Sequence, residues 1–370
     1  MQSTLKKDTL LYTSAINFES ARSVSILPDG HRAKNLHGHS FLAKVRCYLP
    51  LGWSSFIGAE VDELLEKLKS SVAPLDYIHL NNILQEPTDE NLARFIHQNL
   101  GISGIESVGL QSTESQGVDL DNEGHAHLWR RYRFESAHQL PNVSPGHKCG
   151  RMHGHGFEVI LHADISLGLD QAISIDYDYI DKLWLPVYAK LDRICLNDIP
   201  GLENPTSELI SSWIWAQLKP NFLQLSWVTV YETASCGANF DGSHYRIWKE
   251  MSFDSALQLK NAPAGDPRRQ IHGHTYILRL HLHAPIDKVM GWTVDFGDVK
   301  EVFDPIFKKL DHHPLYQMDR LDDCDVGSLL RWIKAESFND LPQLDRVDLY
   351  ETRGCGAILS WGSLGPAIPV

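Results

Sequence analysis

Apolar positions recur along this chain with two periods. Over residues 155–165 they alternate, with Phe157, Val159, Leu161 and Ala163 on one side, as in a strand with one buried face. Over residues 177–191 the spacing changes, and Ile180, Leu183, Trp184, Val187 and Leu191 share one helical face. Pro186 lies inside that segment and is expected to kink it, and Pro305 holds the matching place further on. A strand over 128–137 and a Pro/Gly loop come before the alternating run. A second helix over 206–218 and strands over 225–233 and from 244 to about 251 follow it. The resulting order is ββααββ, an antiparallel sheet with two helices on one side, of α+β class.

That order repeats. FESA at Phe18 returns at Phe134, and as FDSA at Phe253; HGH begins at His37, His153 and His272; a Leu-Asp pair falls at Leu75, Leu191 and Leu310. All three landmarks recur after 116 and then 119 residues, which marks three homologous units. The turn-rich LDNEG at 120–124 and DGS at 241–243 place the units at 1–122, 123–242 and 243–370. One such sheet has two open edges, and edges need a partner. Three in one chain can pair edge to edge into a closed twelve-stranded barrel with the helices outside.

Charge and composition narrow the function. Acidic residues outnumber basic ones 47 to 34, for a net charge of -13, and no lysine/arginine block is present to neutralise phosphates, which argues against nucleic acid as a partner. No run of about 18 apolar residues occurs and no signal-peptide pattern opens the chain, so the expectation is a cytoplasmic protein without a membrane partner. Six cysteines are scattered without a C-x-x-C pair and read as reduced thiols.

The chemistry concentrates in FESAHQLPNVSPGHKCGRMHGHGF, residues 134–157. In a strand, His153 and His155 point to one side. His138 reaches the same point if the two flanking strands pair, and three imidazoles leave an open position on a tetrahedral Zn2+. Cys149 lies in the loop between them.

With FESAH, C-x3-HGH, LD followed by H or its substitute, PTSE and YET in view, the chain resembles the 6-pyruvoyl-tetrahydropterin synthase and 6-carboxytetrahydropterin synthase family, in three tandem copies. The resemblance implies the tunnelling fold, with the barrel here built by one chain, and a lyase acting on 7,8-dihydroneopterin triphosphate. It is compatible with a homodimer of stacked barrels. It further implies Zn2+ on His138, His153 and His155, with Cys149 as a catalytic thiol. Arg22 and Leu257 replace His138 in units one and three, and Ala33 and Arg268 replace Cys149. Two imidazoles alone are an incomplete metal shell.

The family's aspartate–histidine relay survives only in unit three, as Asp311 and His312; Tyr77 and Arg193 stand in the histidine's place elsewhere. The implied site is therefore composite, with metal and thiol from unit two and relay from unit three. The alternative is that Asp311 ends a helix and His312 is solvated. For the pterin ring, the resemblance points to Glu232 or Glu351 in the YET motifs, with Gln111 in unit one, and to Glu208 of PTSE. Glu208 also reads as an acid in the first turn of a helix capped by Thr206. The expected product is 6-carboxy-5,6,7,8-tetrahydropterin, a queuosine precursor, by analogy; the alternatives are 6-pyruvoyl-tetrahydropterin and a non-catalytic zinc- or pterin-binding scaffold.

Overall fold

A computed structural model describes residues 8–168, 171–288 and 290–366. Unit one contributes β1 (Thr9–Arg22), β2 (His37–Cys47), α1 (Glu60–Val72), the two-residue β3 (Ile78–His79), α2 (Asp89–Leu100), β4 (Ile105–Thr113) and β5 (Gln116–Asp121). Unit two follows with β6 (His125–His138), β7 (His153–Ser166), α3 (Tyr177–Leu191), α4 (Ser207–Leu218), β8 (Leu225–Thr233) and β9 (Cys236–Phe240). Unit three has β10 (Tyr245–Leu257), β11 (His272–His283), α5 (Phe296–Leu310), α6 (Val326–Ser337), β12 (Leu344–Thr352) and β13 (Cys355–Ser360).

Apart from β3, which lies parallel to the end of β1, the strands run antiparallel in one sheet that closes where Thr9 meets Ser360 and Thr13 meets Gly356. Twelve strands thus form a barrel without a free edge, the arrangement that three ββααββ units require. Alternation decides what each face does. On β7, Phe157, Val159, Leu161 and Ala163 join a cluster with α3 and α4 residues, whereas Ile160 belongs to a separate group with Trp129, Tyr231 and Trp248 on the opposite face. The inner face also carries charge, neutralised in pairs such as Lys44–Asp119 at 2.8 Å, Arg279–Glu250 at 2.5 Å and Arg346–Asp348 at 2.6 Å.

The two predicted helices of unit two appear over the expected residues, and α3 runs on through Pro186 as α5 does through Pro305. The last strand needs correction. The strand expected from residue 244 is the start of β10, the long first strand of unit three, and unit two closes with β9, CGANF. Gly237 and Asn239 are poor strand formers by propensity. Packing decides instead, because a Cβ on Gly237 would lie 2.3 Å from the Val230 carbonyl oxygen.

Neighbouring units are latched in the same way at two seams. Glu208 accepts from the Thr293 amide at 2.8 Å and hydroxyl at 3.1 Å, and Glu90 accepts from the Ser174 amide at 2.7 Å and hydroxyl at 2.5 Å. The third seam, between units three and one, uses Arg268 on Asp62 at 2.7 Å.

Candidate functional site

The paired ends of β6 and β7 build the site. Their register sets His138 opposite His153 and Ser136 opposite His155. Ring centroids are 4.5 Å apart for His138–His153, 5.2 Å for His138–His155 and 5.0 Å for His153–His155. Glu232, at the end of β8, completes a group whose ligand atoms lie within 4.8 Å of one another.

Local hydrogen bonds orient the rings. His138 Nδ1 lies 3.0 Å from the Pro205 carbonyl oxygen and His153 Nδ1 2.7 Å from that of Arg151. A carbonyl can only accept, so each Nδ1 carries the proton and each Nε2 keeps a lone pair for the centre. The Nε2 atoms of His138 and His155 are buried without a hydrogen-bond partner. Burial also lowers the pKa of both rings, favouring the neutral form. Unpartnered, neutral nitrogens converging beside a carboxylate suit a divalent cation, with Glu232 already 3.6 Å from His155 Nε2.

Cys149 lies half-buried on a short 3₁₀ turn, Lys148–Gly150. Burial, and then the Glu232 charge, push its thiol above the ordinary value, so a cation at the imidazoles is what would draw the thiolate form out. His147 caps this turn, its Nδ1 accepting from the Cys149 amide at 3.2 Å. Its Nε2 lies 3.6 Å from Asp295 of unit three, and Trp292 packs near its ring. These three residues carried no family motif and were missed in the sequence; the H-x-C spacing was the one available signal.

The other units lack this arrangement. Arg22 occupies the place of His138 in unit one, bonded to Asp89 at 2.7 Å, with Nη2 3.3 Å from His39 Nε2. Burial, and then this guanidinium, depress the His39 pKa to about 4. In unit three the buried Leu257 fills the corresponding space beside His272 and His274. Neither pair belongs to a metal-capable group among the described residues.

The strand registers revise one equivalence. Tyr231 and Tyr350 pair with Gly237 and Gly356, as Gln111 pairs with Gly117, so the unit-one counterpart of Glu232 and Glu351 is Ser112, one residue beyond Gln111. Among the candidate carboxylates, Glu232 faces the three imidazoles and accepts from the Ser207 hydroxyl at 2.8 Å. Glu351 is at the seam of units three and one, raised to about 8 by burial and then by Asp62 and Asp325. Glu208 is engaged in its latch.

Asp311 and His312 are placed elsewhere. Asp311 closes α5 and accepts from the Asp254 amide at 3.1 Å, just as Asp76 and Asp192 accept from Glu19 and Glu135. The following residue has a left-handed backbone in every unit, with φ of 53° at Tyr77, 59° at Arg193 and 54° at His312. His312 Nδ1 lies 3.0 Å from Asp311 Oδ1, and its side chain is 76 % exposed. Asp311 bonds to Asp254 and His312, both within unit three. Its segment facing the unit-two site runs instead through residues 290–295.

Comparisons with known proteins agree with the architecture. The profile described as 6-pyruvoyl tetrahydropterin synthase matches residues 12–118, 127–243 and 246–360. A Synechocystis protein named 6-carboxy-5,6,7,8-tetrahydropterin synthase is 35% identical over 119 residues, 30% of this chain and 91% of the relative. The dihydroneopterin monophosphate aldolase of Pyrococcus furiosus is 31% identical over 119 residues, 31% of this chain and 97% of its own. The solved Caenorhabditis elegans 6-pyruvoyl tetrahydropterin synthase is 22% identical and covers 30% of this chain and 90% of its own, with a TM-score of 0.28. With three successive matches spanning a closed barrel, the chain belongs to the 6-pyruvoyl tetrahydropterin synthase family, pterin-processing lyases, as a tandem triplicate.

Proposed function

We propose that the chain converts 7,8-dihydroneopterin triphosphate to 6-carboxy-5,6,7,8-tetrahydropterin at a single zinc site in unit two, on its seam with unit three. The observation that carries this reading is the convergence, in unit two, of three imidazoles with Glu232 beside Cys149. Zinc on the three Nε2 atoms would polarise the oxygens of the substrate side chain.

The residues then divide the work. Cys149 as thiolate takes a proton from a side-chain carbon. Glu232, steadied by Ser207, accepts from the ring N–H and amino group, a two-point match for a planar carboxylate. Triphosphate leaves, and water cleaves the C–C bond between the two remaining side-chain carbonyl carbons, its oxygen passing to the carboxylate left on the ring and its hydrogen to the acetaldehyde released. Glu208, held in its latch, and Glu351, at the seam of units three and one, are not assigned to the ring. The exposed Asp311–His312 couple serves as the proton relay by reaching this site from a second, stacked copy of the barrel.

Product analysis with the triphosphate substrate tests the reading. Acetaldehyde and 6-carboxytetrahydropterin are expected. Retention of the whole side chain as pyruvoyl would replace the carboxy assignment, and no turnover would leave a binding scaffold. Cys149→Ala should abolish turnover with zinc retained. His312→Ala should lower the rate without changing metal content, and mixing it with Cys149→Ala should restore part of the activity if the relay crosses between copies.

A further inference from the structure

The seam between units one and two, equivalent to the one that holds the imidazole trio, encloses a cavity of about 500 Å³. That volume lies within the range of small-molecule sites. Its chemistry differs from that of unit two in three ways.

The position equivalent to the unit-two trio is closed to a metal. Arg22 stands where His138 stands in unit two, opposite His37 as His138 is opposite His153. Its guanidinium approaches His39 Nε2 to 3.3 Å, placing a fixed positive charge where a cation would have to sit. The carboxylate is nevertheless kept. In unit two the helix supplies the hydroxyl, Ser207, and the strand the acid, Glu232; in unit one the strand supplies Ser112, which donates at 2.8 Å to Asp89 on the helix. Hydroxyl and acid have exchanged places, and the Arg22–Asp89 pair leaves a neutral floor in place of ion plus carboxylate.

The walls and mouth define the ligand. Apolar lining comes from both units, with Val24 and Leu27 on one and Ile173, Ile175 and Tyr177 on the other, while Thr113 and Gln116 add hydrogen-bonding groups. Such a lining suits a flat ring with polar edges. Asp176 and Asp178 stand at the same cavity, 3.7 and 3.2 Å from His31 Nε2; Asp176 matches Asp295 beside His147 in unit two, and Asp178 is the added acid. The capped turn of unit two carries Lys148 and Arg151, whereas unit one has Arg32, drawn to Asp178 at 3.5 Å, and Asn35. This mouth disfavours a polyphosphate tail.

We infer that this cavity is a second ligand site, which takes an uncharged, unphosphorylated heteroaromatic ring of the pterin class with no metal at the position of the unit-two trio. The ring class rests on the proposed function; the presence of the site rests on the cavity and its altered floor. The test is binding stoichiometry of neopterin, followed by its own fluorescence, on the full-length protein as purified and on Leu27→Trp and Ala33→Trp, which fill the cavity from a loop and a turn at its rim. Each variant should bind one equivalent fewer than the parent while turnover of the triphosphate substrate is unchanged. A stoichiometry unaltered by both variants overturns the inference. Should the parent bind one equivalent, lost in both variants but kept in His153→Ala, this site stands and the pterin assignment of unit two falls.

Discussion

Glu208 gives the most direct energetic test of how the units are joined. The residue is 2 % exposed, and its Oε1 accepts both from the Thr293 amide at 2.8 Å and from the hydroxyl at 3.1 Å. Burial raises its pKa from 4.5 to about 7, against the opposing pull of those bonds. An acid whose folded pKa exceeds its unfolded one binds more protons when folded, so stability falls as pH climbs from 4.5 to about 7. At about 1.4 kcal/mol per unit, holding the ionised form in place costs on the order of 3 kcal/mol above that window. Glu208→Gln keeps an oxygen for both Thr293 donors and carries no charge. It should be more stable than the parent by about 1–3 kcal/mol near pH ~8, with the gap shrinking below about 1 kcal/mol near pH ~5. Glu208→Ala strands two buried donors and should lose about 2–4 kcal/mol at either pH. Urea unfolding read by tryptophan fluorescence supplies the comparison, as a difference from the parent, because Glu351 and Glu90 titrate in both proteins. A Gln variant less stable than the parent by more than about 1 kcal/mol near pH ~8 refutes the reasoning, since the carboxylate would then have to be stabilising in its charged form.

Other outcomes follow from the site and the barrel. His138→Ala should remove bound zinc, measured by elemental analysis, while Arg22→His, which restores a third imidazole to unit one, should add a second equivalent; unchanged metal content in either case contradicts the ligand assignment. His147→Ala should lower kcat with zinc retained and speed alkylation of Cys149, because the turn loses its cap, whereas His147→Asn, which can still accept from the Cys149 amide, should recover most of the rate. Gly237→Ala would force a Cβ to 2.3 Å from the Val230 carbonyl oxygen, and thermal unfolding should show a loss of about 2 kcal/mol or more.

The triplication, the two-helix units and the imidazole trio were all legible in the residues. Each depends on spacing within a short segment: a repeat offset, a 3.6-residue period, or alternate positions on paired strands. Such patterns survive in one dimension because neighbours in sequence remain neighbours in space. The β9 strand was not legible in this way. CGANF has weak local preference, and its pairing with β8 and β10 supplies what propensity lacks.

Tertiary structure alone decided which groups face each other across the seams. Gln111 looked like the counterpart of Glu232 until the bulged register assigned Ser112 to that place. Glu208 is the first-turn acid that the sequence offered, behind the Thr206 cap, but its partner Thr293 lies 85 residues away. Asp311 and His312 satisfy the relay motif in sequence; only the structure adds that all three units also use that aspartate to tie the end of a helix to the first strand, and that His312 faces outward. By itself the sequence determined which side chains exist at each repeated position. Barrel closure decided which of them meet, because hydrogen-bond register and unit-to-unit contact are set by the summed packing of distant segments and by no single stretch of chain.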